Sequence, residues 1–325
     1  MFSKTRVAVL RGGPSSEYEI SLRSGAAVLQ NLPERFHEVD VFIDKRGDWH
    51  IHGRRESAHK ILGMVDAVFN ALHGEYGEDG TVQRLLRLHA VPHTGPRELA
   101  AAFAMHKRMT KDHATEEGIR TPYFTVLRKE DAADLQSAAS HIYRTFPQPA
   151  VVKPLSRGSS LGVSVARTPD ELAYALALAF ELCDSVLIEE YIEGSEIVCG
   201  VIEDYRGEPA YALIPLRATL PSGSKFLDYE GRRSGQIRYE PAHHLPPETR
   251  ELLMDAARRM HNRLGLRHYS TSDFLVHPKR GVFYLETDAL PSLASDAPLP
   301  VALREVGGTL PHFIEHVISL ALTKK

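Results

Sequence analysis

Three carboxylates near the end of the chain, Asp273, Glu286 and Asp288, have the spacing of metal ligands. They lie in two short segments, 272–277 and 282–288, whose alternation of apolar and polar residues predicts β-strands. A four-residue Pro-Lys-Arg-Gly turn joins the two segments, so we expect an antiparallel hairpin.

The register of this hairpin decides which side chains meet. If residue 277 faces residue 282, then Asp273 faces Glu286 and Asp288 lies on the same face, one pleat along. Carboxylates grouped in this way repel each other unless a cation joins them, and a set of oxygen ligands favours Mg²⁺ over zinc. A solvated acidic face is the alternative, but the apolar residues of the hairpin favour the metal site.

A second stretch, KPLSRGSSLGVS (153–164), has the composition of a phosphate-binding loop. Lys153 ends a predicted strand, and the small residues after it let backbone N–H groups approach phosphate oxygens. No GK[ST] follows, so the stretch is not a P-loop, and a plain β-hairpin explains these residues equally well. The stretch GGPSS (12–16) is not GxGxxG and gives no support for a dinucleotide site.

The elements that must position these residues alternate between strand and helix in the first part of the chain. Buried strands are predicted at 6–10, 37–44 and 66–72, and a capping pattern from Ser16 to Glu19 predicts that a helix follows the first strand. This alternation indicates a parallel α/β domain. Further on, the patterns predict a long helix over 98–118, a helix over 168–182 capped by Thr168 and Glu171, two strands within 185–204 and a helix over 246–265.

The bulk composition is that of an ordinary globular protein. The chain has 325 residues, 43% of them hydrophobic, and a net charge of −3, so no basic field attracts nucleic acid or a membrane surface. No apolar run is as long as a transmembrane helix. Two cysteines, Cys183 and Cys199, do not make a disulfide framework, and a reducing cytoplasm is the expected compartment.

Together these motifs resemble the D-alanine–D-alanine ligases of the ATP-grasp superfamily over nearly the whole chain. Several long motifs in the family's order make the resemblance specific. The motifs are GGPSSEYEISLRSG (12–25), FNALHGEYGEDGTVQ (69–83), AMHKRMTK (104–111), VVKPLSRGSSLGVS (151–164), VLIEEYIEGSE (186–196), FLDYEG (226–231), SDF (272–274) and LETDALP (285–291).

The resemblance implies an α/β architecture with two ATP-grasp subdomains. A parallel α/β domain over residues 1–96 would precede a central ATP-grasp subdomain over 97–184 and a C-terminal ATP-grasp subdomain over 185–325 that carries the metal site. The nucleotide would bind between the last two. A homodimer is also implied by the family, with small molecules as the other partners.

The resemblance also implies a reaction and a set of residues for it. ATP phosphorylates the carboxylate of one D-alanine, and the amine of a second D-alanine attacks the acyl phosphate to form a tetrahedral intermediate. Glu17 would orient the ammonium of the first substrate, with His73 in the same pocket. The residues implied for ATP are Lys107 and Lys153 at the phosphates, Ser159 and Ser160 in the covering loop, Glu189 with the hinge stretch Glu190-Tyr191-Ile192 at the adenine, and Glu196 at the ribose. Asp273, Glu286 and Asp288 would carry two Mg²⁺ ions, or Mn²⁺ in their place, although the family has asparagine at the last position.

Some positions depart from the family pattern. The family has arginine where this chain has Thr271, and that arginine stabilises the oxyanion of the tetrahedral intermediate; losing one such donor typically costs roughly 10²–10³ in rate. The family's mobile loop ends in lysine and tyrosine, whereas this chain has Arg232 and Arg233. Arg232 keeps a charge near the γ-phosphate, and Arg233 could pair with Glu17.

The loop after the metal ligands departs most. Ala289 replaces a threonine, Ser292 a glycine, Ala297 a serine and Pro298 a leucine. By the resemblance, Ser292 and Ala297 would contact substrate. In the family, the serine hydroxyl and nearby backbone N–H groups hold the carboxylate of the second substrate. Alanine has no hydroxyl and proline has no N–H, so donors to the acceptor are removed at adjacent positions.

The chain keeps the family's residues for ATP and metal but departs from its residues for the acceptor, and three hypotheses follow. The first is an ATP-dependent D-alanine–D-alanine ligase, which the length of the match favours. The second is an ATP-grasp ligase with a different amino acid or amine as acceptor, which the altered loop favours. The third is a nucleotide-binding pseudo-ligase, which the loss of charge at Thr271 favours. Because the metal ligands persist, we rank catalysis above the pseudo-ligase and the D-alanyl ligase first.

Overall fold

The computed structural model describes residues 4–155, 162–219 and 237–323, whose strands form three sheets. The first sheet contains β1 (Thr5–Gly12), β2 (Phe36–Ile43), β3 (Trp49–Ile51), β4 (Arg54–Arg55) and β5 (Ala67–Asn70). Its order is β4-β3-β2-β1-β5, and β1 is parallel to both β2 and β5. The predicted parallel α/β domain is therefore confirmed, with an antiparallel extension at one edge.

Three helices accompany the first sheet. They are α1 (Tyr18–Asn31), α2 (Ala58–Leu62) and α3 (Thr81–Leu88). The predicted capping box from Ser16 to Glu19 is wrong, because the residue at the N-cap of α1 is Glu17, whose side chain makes no capping hydrogen bond. Instead the Ser15 hydroxyl accepts a hydrogen bond from the Glu17 N–H at 3.0 Å, and the Glu17 side chain lines a cavity.

The predicted helix over 98–118 is two helices, α4 (Glu98–Met105) and α5 (Lys107–Glu116). His106 between them is extended, with φ −90° and ψ 95°, and its ring Nδ1 accepts a hydrogen bond from the N–H of Met109. The Lys107 N–H donates to the carbonyl of Leu155 at 3.2 Å, so this long-range contact replaces an intrahelical one. The break makes Lys107 the first residue of α5.

The second sheet is antiparallel and follows the predicted strand–loop–strand pattern. It contains β6 (Phe124–Arg128), β7 (Ala150–Pro154), β8 (Ser164–Ala166) and β9 (Ser185–Glu190) in the order β6-β9-β7-β8. A 3₁₀ turn (Lys129–Asp131), α6 (Leu135–Thr145) and α7 (Pro169–Leu182) accompany it. The predicted cap of α7 is confirmed, since the Thr168 hydroxyl accepts the N–H of Glu171 at 3.2 Å. By strand pairing this unit extends to Glu190, so residues 185–190 belong with the central sheet.

The third sheet contains the carboxylate hairpin. Its strands are β10 (Ser195–Tyr205), β11 (Glu208–Ala212), β12 (Leu216–Thr219), β13 (Arg238–Pro241), β14 (Tyr269–His277) and β15 (Gly281–Asp288). The order is β13-β12-β10-β14-β15, with β11 paired to β10. The helices that follow β13 are α8 (Pro247–Arg263), α9 (Pro298–Glu305) and α10 (Leu310–Thr323).

The apolar cores join segments that are distant in the sequence. One core combines Val7, Val9 and Phe69 of the first sheet with Phe313 and Val317 of α10. Another combines α4 and α5 with β10, β14, β15 and α8, so that α5 packs on the hairpin strand β15. Among the described residues, none of the helices has the length and apolar character that crossing a membrane requires.

Candidate active site

The carboxylate hairpin has the predicted pairing at its functional end. Asp273 pairs with Glu286 and Thr271 pairs with Asp288 across β14 and β15. The predicted pairing of residue 277 with 282 is wrong, because His277 pairs with Gly281. A β-bulge accounts for both results, since Leu285 is an extra residue between the pairs Phe274–Tyr284 and Asp273–Glu286.

The bulge sends neighbouring side chains into two different cavities. Asp273, Glu286 and Asp288 all line a cavity of about 170 Å³ that lies against α1 and the loop after β15, which we call the amino-acid cavity. Leu285 and Glu286 line a second cavity of about 590 Å³ between the second and third sheets, which we call the nucleotide cavity. Glu286 therefore belongs to both.

Lys107 is the second side chain that the two cavities share. Its Nζ lies 2.9 Å from Oε2 of Glu286, with only 11% of the side chain exposed. This ion pair lies where the cavities meet. Lys107 lies here because the break at His106 makes it the first residue of α5, which packs on β15. In a continuous helix over 98–118, Lys107 would not lie in a first turn.

The carboxylates of the amino-acid cavity form a crowded anionic group. Burial, with repulsion from Glu17, Asp273 and Glu286, raises the pKa of Asp288 to about 7. A divalent cation would remove this repulsion, and the oxygen donors suit a hard ion such as Mg²⁺. Within the described ranges no three Asp, Glu, His or Cys side chains converge closely enough to hold an ion by themselves, and a Mg²⁺ ion bound here would also need oxygen ligands from phosphate or water.

His73 and Glu78 form the opposite wall of the amino-acid cavity. His73 Nε2 is 2.7 Å from the Ser24 hydroxyl, and its Nδ1 is 3.2 Å from Oε1 of Glu78. Burial lowers the pKa of His73 to about 4, and burial with repulsion from Asp288 raises the pKa of Glu78 well above its usual value. The contact between His73 and Glu78 is therefore a hydrogen bond to a neutral imidazole and not an ion pair.

Ser24 connects this wall to the loop after β15. Its hydroxyl accepts the N–H of Leu293 at 3.1 Å and lies 3.2 Å from the Ser292 hydroxyl. The Ser24 hydroxyl on α1 thus holds the loop after β15, which is the loop that departs most from the family pattern. Ser292, predicted to contact substrate, lines the cavity within this network.

In the nucleotide cavity, Glu189 is fully buried between two lysines. Lys111 and Lys153 both pair with its carboxylate, with Lys153 Nζ 2.5 Å from Oε2. Burial alone would raise the pKa of Glu189, but the two ammonium groups hold it below the usual value. Burial lowers the pKa of Lys111, whereas the pKa of Lys153 is raised because Glu189 and Glu286 outweigh its burial. The cluster carries a net positive charge that suits phosphate.

The remaining residues predicted for the nucleotide are in the same cavity or outside the described part of the chain. Tyr191, Ile192 and Glu196 line the nucleotide cavity with Lys153 and Glu189. Ser159, Ser160, Arg232 and Arg233 lie outside the described residues.

The acceptor side of the amino-acid cavity contains the departures. Thr271 is 4% exposed, and Ala297 and Pro298 line the cavity where α9 begins. The Ala297 N–H donates to the carbonyl of Ala294 at 2.8 Å, and the N-cap position of α9 has no side-chain hydrogen bond. At the two altered positions, Ala297 therefore has no hydroxyl, its N–H is already used, and Pro298 has no N–H.

The sequence reasoning missed four groups of this site. Lys111 and Glu78 lie inside motifs that were recognised, and Lys111 follows Lys107 by one helical turn, a spacing that could have predicted its role. Ser24 and Arg23 also lie in a recognised motif, but their contacts with Leu293 and Asp296 join segments about 270 residues apart, and no local signal could have revealed these contacts.

Comparisons with known proteins agree along the whole chain. Residues 6–61 and 51–96 match the family described as D-ala D-ala ligase N-terminus, and residues 114–319 match D-ala D-ala ligase C-terminus. The chain is 35% identical over 322 residues to the D-alanine–D-alanine ligase of Geobacter sulfurreducens, covering 98% of this chain and 95% of that protein. It is 36% identical over 319 residues to the ligase of Pelobacter propionicus, covering 96% and 94%.

Solved structures show the same fold. The D-alanyl-alanine synthetase A of Vibrio cholerae superposes with a TM-score of 0.86 and 25% identity, covering 100% of both chains. The VanG D-Ala:D-Ser ligase of Enterococcus faecalis superposes with a TM-score of 0.82 and 25% identity, covering 98% of this chain and 100% of that one. The fold is therefore the α/β ATP-grasp architecture that the motifs implied.

Proposed function

Because the chain belongs to the D-alanine–D-alanine ligase family, we propose that it is an ATP-dependent carboxylate–amine ligase that forms D-alanyl-D-alanine for peptidoglycan precursors. One observation carries the proposal: two cavities, one lined by carboxylates and one by lysines, meet at the ion pair of Lys107 and Glu286. A phosphoryl group on ATP in one cavity would face an amino acid in the other.

The first step is phosphoryl transfer. A carboxylate oxygen of the first D-alanine attacks the γ-phosphorus of ATP, the bond to the β-phosphate oxygen breaks, and ADP leaves. Lys153 and Lys107 hold the phosphates, and Lys107 must exchange its contact with Glu286 for a phosphate oxygen. Mg²⁺ held by Asp273, Glu286 and Asp288 would shield the phosphate charge. Glu17 holds the ammonium of the donor, and the neutral His73 adds no charge beside it.

The second step is amide formation. The neutral amine of the second D-alanine attacks the acyl carbon, the amine loses a proton, and inorganic phosphate leaves from the tetrahedral intermediate. The family arginine that would face the oxyanion is Thr271 here, which offers a hydroxyl only. We therefore expect this step to be slow relative to phosphoryl transfer.

We also propose the finer assignments that the family suggests. These are two Mg²⁺ ions, a homodimer and action in the cytoplasm, where ATP and D-alanine occur together. Titration of the protein and ATP with Mg²⁺ would count the ions, and light scattering would give the mass of the assembly. For the metal, Glu286→Gln should abolish Mg²⁺-dependent ATP binding in calorimetry, whereas Glu130→Gln, at an exposed residue that lines neither cavity, should not.

The test of function is ADP release from Mg·ATP with D-alanine, beside D-serine, L-alanine and simple amines, with products identified by mass spectrometry. We expect ADP release that depends on D-alanine, with D-alanyl-D-alanine as product. A product with another acceptor would replace D-alanine in the proposal by that acceptor. ATP binding without turnover of any substrate would overturn ligation and favour a pseudo-ligase.

A further inference from the structure

Arg23 lies in the amino-acid cavity at the place where the acceptor donors are lost. It belongs to α1, and with Ile20 it lines the cavity, while Ser24 beside it fixes the loop after β15. The Arg23 Nη2 donates to both carboxylate oxygens of Asp296, at 2.6 and 2.8 Å. Asp296 immediately precedes Ala297 and Pro298, so the guanidinium is held next to the two altered positions.

The amino-acid cavity is lined mainly by acidic side chains, and Arg23 is one of the two fully charged basic residues that line it in the described part of the chain. Among its described lining residues are six carboxylates and two basic side chains that carry a full charge, Arg23 and Lys107. Lys107 is paired with Glu286 at the nucleotide end. An amino acid that enters with a free carboxylate is repelled from most of this surface. Arg23 is itself paired with Asp296, but it is half-exposed and is the described cation on the acceptor side that can offset the repulsion.

The hydrogen bonds of Arg23 leave donors for a ligand. Both bonds to Asp296 come from Nη2, so among the described contacts the N–H groups of Nε and Nη1 have no protein acceptor. The Nε–H and Nη1–H groups point in different directions, so a ligand carboxylate would accept a single charge-assisted hydrogen bond from one of them while Nη2 stays with Asp296. The side chain is 49% exposed, so a ligand in the cavity can reach it.

We propose that Arg23 binds the carboxylate of the acceptor amino acid, in place of the donors missing at Ala297 and Pro298, and that Asp296 holds it in position. Arg23 is then the residue that makes this ligase prefer an acceptor with a free carboxylate over an amine without one. This inference rests on the proposed function, because it assigns a role within that reaction.

The experiment measures acceptor preference in a single reaction. The enzyme receives Mg·ATP, D-alanine and D-alaninamide, which differs from D-alanine by loss of the carboxylate charge. Mass spectrometry gives the ratio of D-alanyl-D-alanine to D-alanyl-D-alaninamide. This ratio does not depend on how much of a variant is folded or on its affinity for ATP, so a general loss of stability leaves it unchanged.

We expect Arg23→Met, which keeps the apolar stem, to lower the ratio roughly tenfold to a hundredfold, as loss of one charge-assisted hydrogen bond does. Arg23→Lys should keep part of the preference because the charge remains. Asp296→Asn should keep most of it because Arg23 is still present. The matched control is Arg11→Met, which breaks an ion pair with Asp40 outside both cavities and should leave the ratio unchanged.

Three results would overturn the inference. An unchanged ratio for Arg23→Met would show that Arg23 does not recognise the carboxylate. Equal losses for Arg23→Met and Arg23→Lys would show that the positive charge at this position does not select the acceptor. If the unaltered enzyme makes neither product, the proposed function itself fails, and the role of Arg23 fails with it; the first two results leave the proposed function standing.

Discussion

Thr271 is the position where one residue alters the chemistry most. It faces Asp288 across the hairpin and lines the amino-acid cavity, but it carries no charge. We expect Thr271→Arg to raise kcat for D-alanyl-D-alanine formation by about tenfold or more, because an added guanidinium donates to the oxyanion at the slow step.

The matched control is Thr271→Met, which adds similar bulk without charge and should not increase the rate. Steady-state ADP release under saturating D-alanine compares the three enzymes. If the arginine variant is no faster than the methionine variant, the limitation lies elsewhere in the acceptor loop and not in the missing charge.

His73 makes a prediction about pH. Its pKa is about 4 in the folded chain and about 6.5 when exposed, so below pH 6.5 the unfolded chain binds a proton that the folded chain does not. The free energy of unfolding therefore decreases as the pH falls from about 6.5 to 4, by at most about 3 kcal/mol for this group. Above pH 6.5 the imidazole is neutral in both states and contributes no slope.

Urea unfolding of the unaltered chain and of His73→Asn at pH 7.5 and pH 5 tests this. The asparagine variant should lose less stability between the two values. Glu78 acts in the opposite direction, because its raised pKa favours the folded state at low pH, but it is present in both proteins. Equal losses would mean that His73 does not remain neutral in the folded chain.

At the scale of the elements, Gly12 ends the first strand where only glycine fits. Its φ is +92°, and a Cβ there would lie 2.2 Å from the carbonyl oxygen of Ile43 on the neighbouring strand. We expect Gly12→Ala to reduce the free energy of unfolding by more than about 3 kcal/mol, from left-handed strain and a clash with backbone.

Gly118→Ala is the matched control, because Gly118 has φ +68° and no atom within 4 Å of its Cβ position. It should show only the strain of the left-handed conformation, about 1–2 kcal/mol. Equal losses in thermal or urea unfolding would show that the contact with Ile43 relaxes without cost.

The sequence predicted those elements whose signal is local. Alternation in the last two strands predicted the hairpin, but the pairing of Asp273 with Glu286 was predicted from a register that is wrong at His277, and the bulge at Leu285 restores that pairing. The parallel first sheet follows from its buried strands. The bulge at Leu285 was missed because no local pattern marks it; its effect is to place the Leu285 side chain at the nucleotide cavity. The break at His106 was missed because the Lys107 N–H finds its acceptor at Leu155, nearly fifty residues away. Such distant contacts decide local structure without leaving a local pattern.

At the scale of the whole molecule, the active site depends on contacts between segments that are far apart in the chain. The C-terminal helix α10 packs on the first sheet, and α4 and α5 pack on the third. The amino-acid cavity is therefore built by α1, the loop after β5, α4 and the hairpin together, and no single domain contains it. The roles of Ser24 and Arg23 in this cavity were not found from the sequence, because their partners Leu293 and Asp296 are distant in the chain.

An ion pair links the second and third sheets beside the nucleotide cavity. Arg280, in the turn between β14 and β15, makes two hydrogen bonds of 3.0 Å to the carboxylate of Glu190 at the end of β9. Because the Arg280 side chain is 42% exposed, we expect the pair to contribute no more than about 1 kcal/mol.

Loss of this link should weaken ATP binding without changing the use of D-alanine, because Glu190 lines the nucleotide cavity and neither residue of the pair lines the amino-acid cavity. We expect Glu190→Gln to raise the KM for ATP about twofold to fivefold, and the exchanged pair Glu190→Arg with Arg280→Glu to restore part of the affinity. Arg128→Gln is the control, since it breaks an exposed pair within the central unit and should leave the KM for ATP unchanged. An unchanged KM in Glu190→Gln would mean that packing between the sheets, and not this ion pair, fixes the width of the nucleotide cavity.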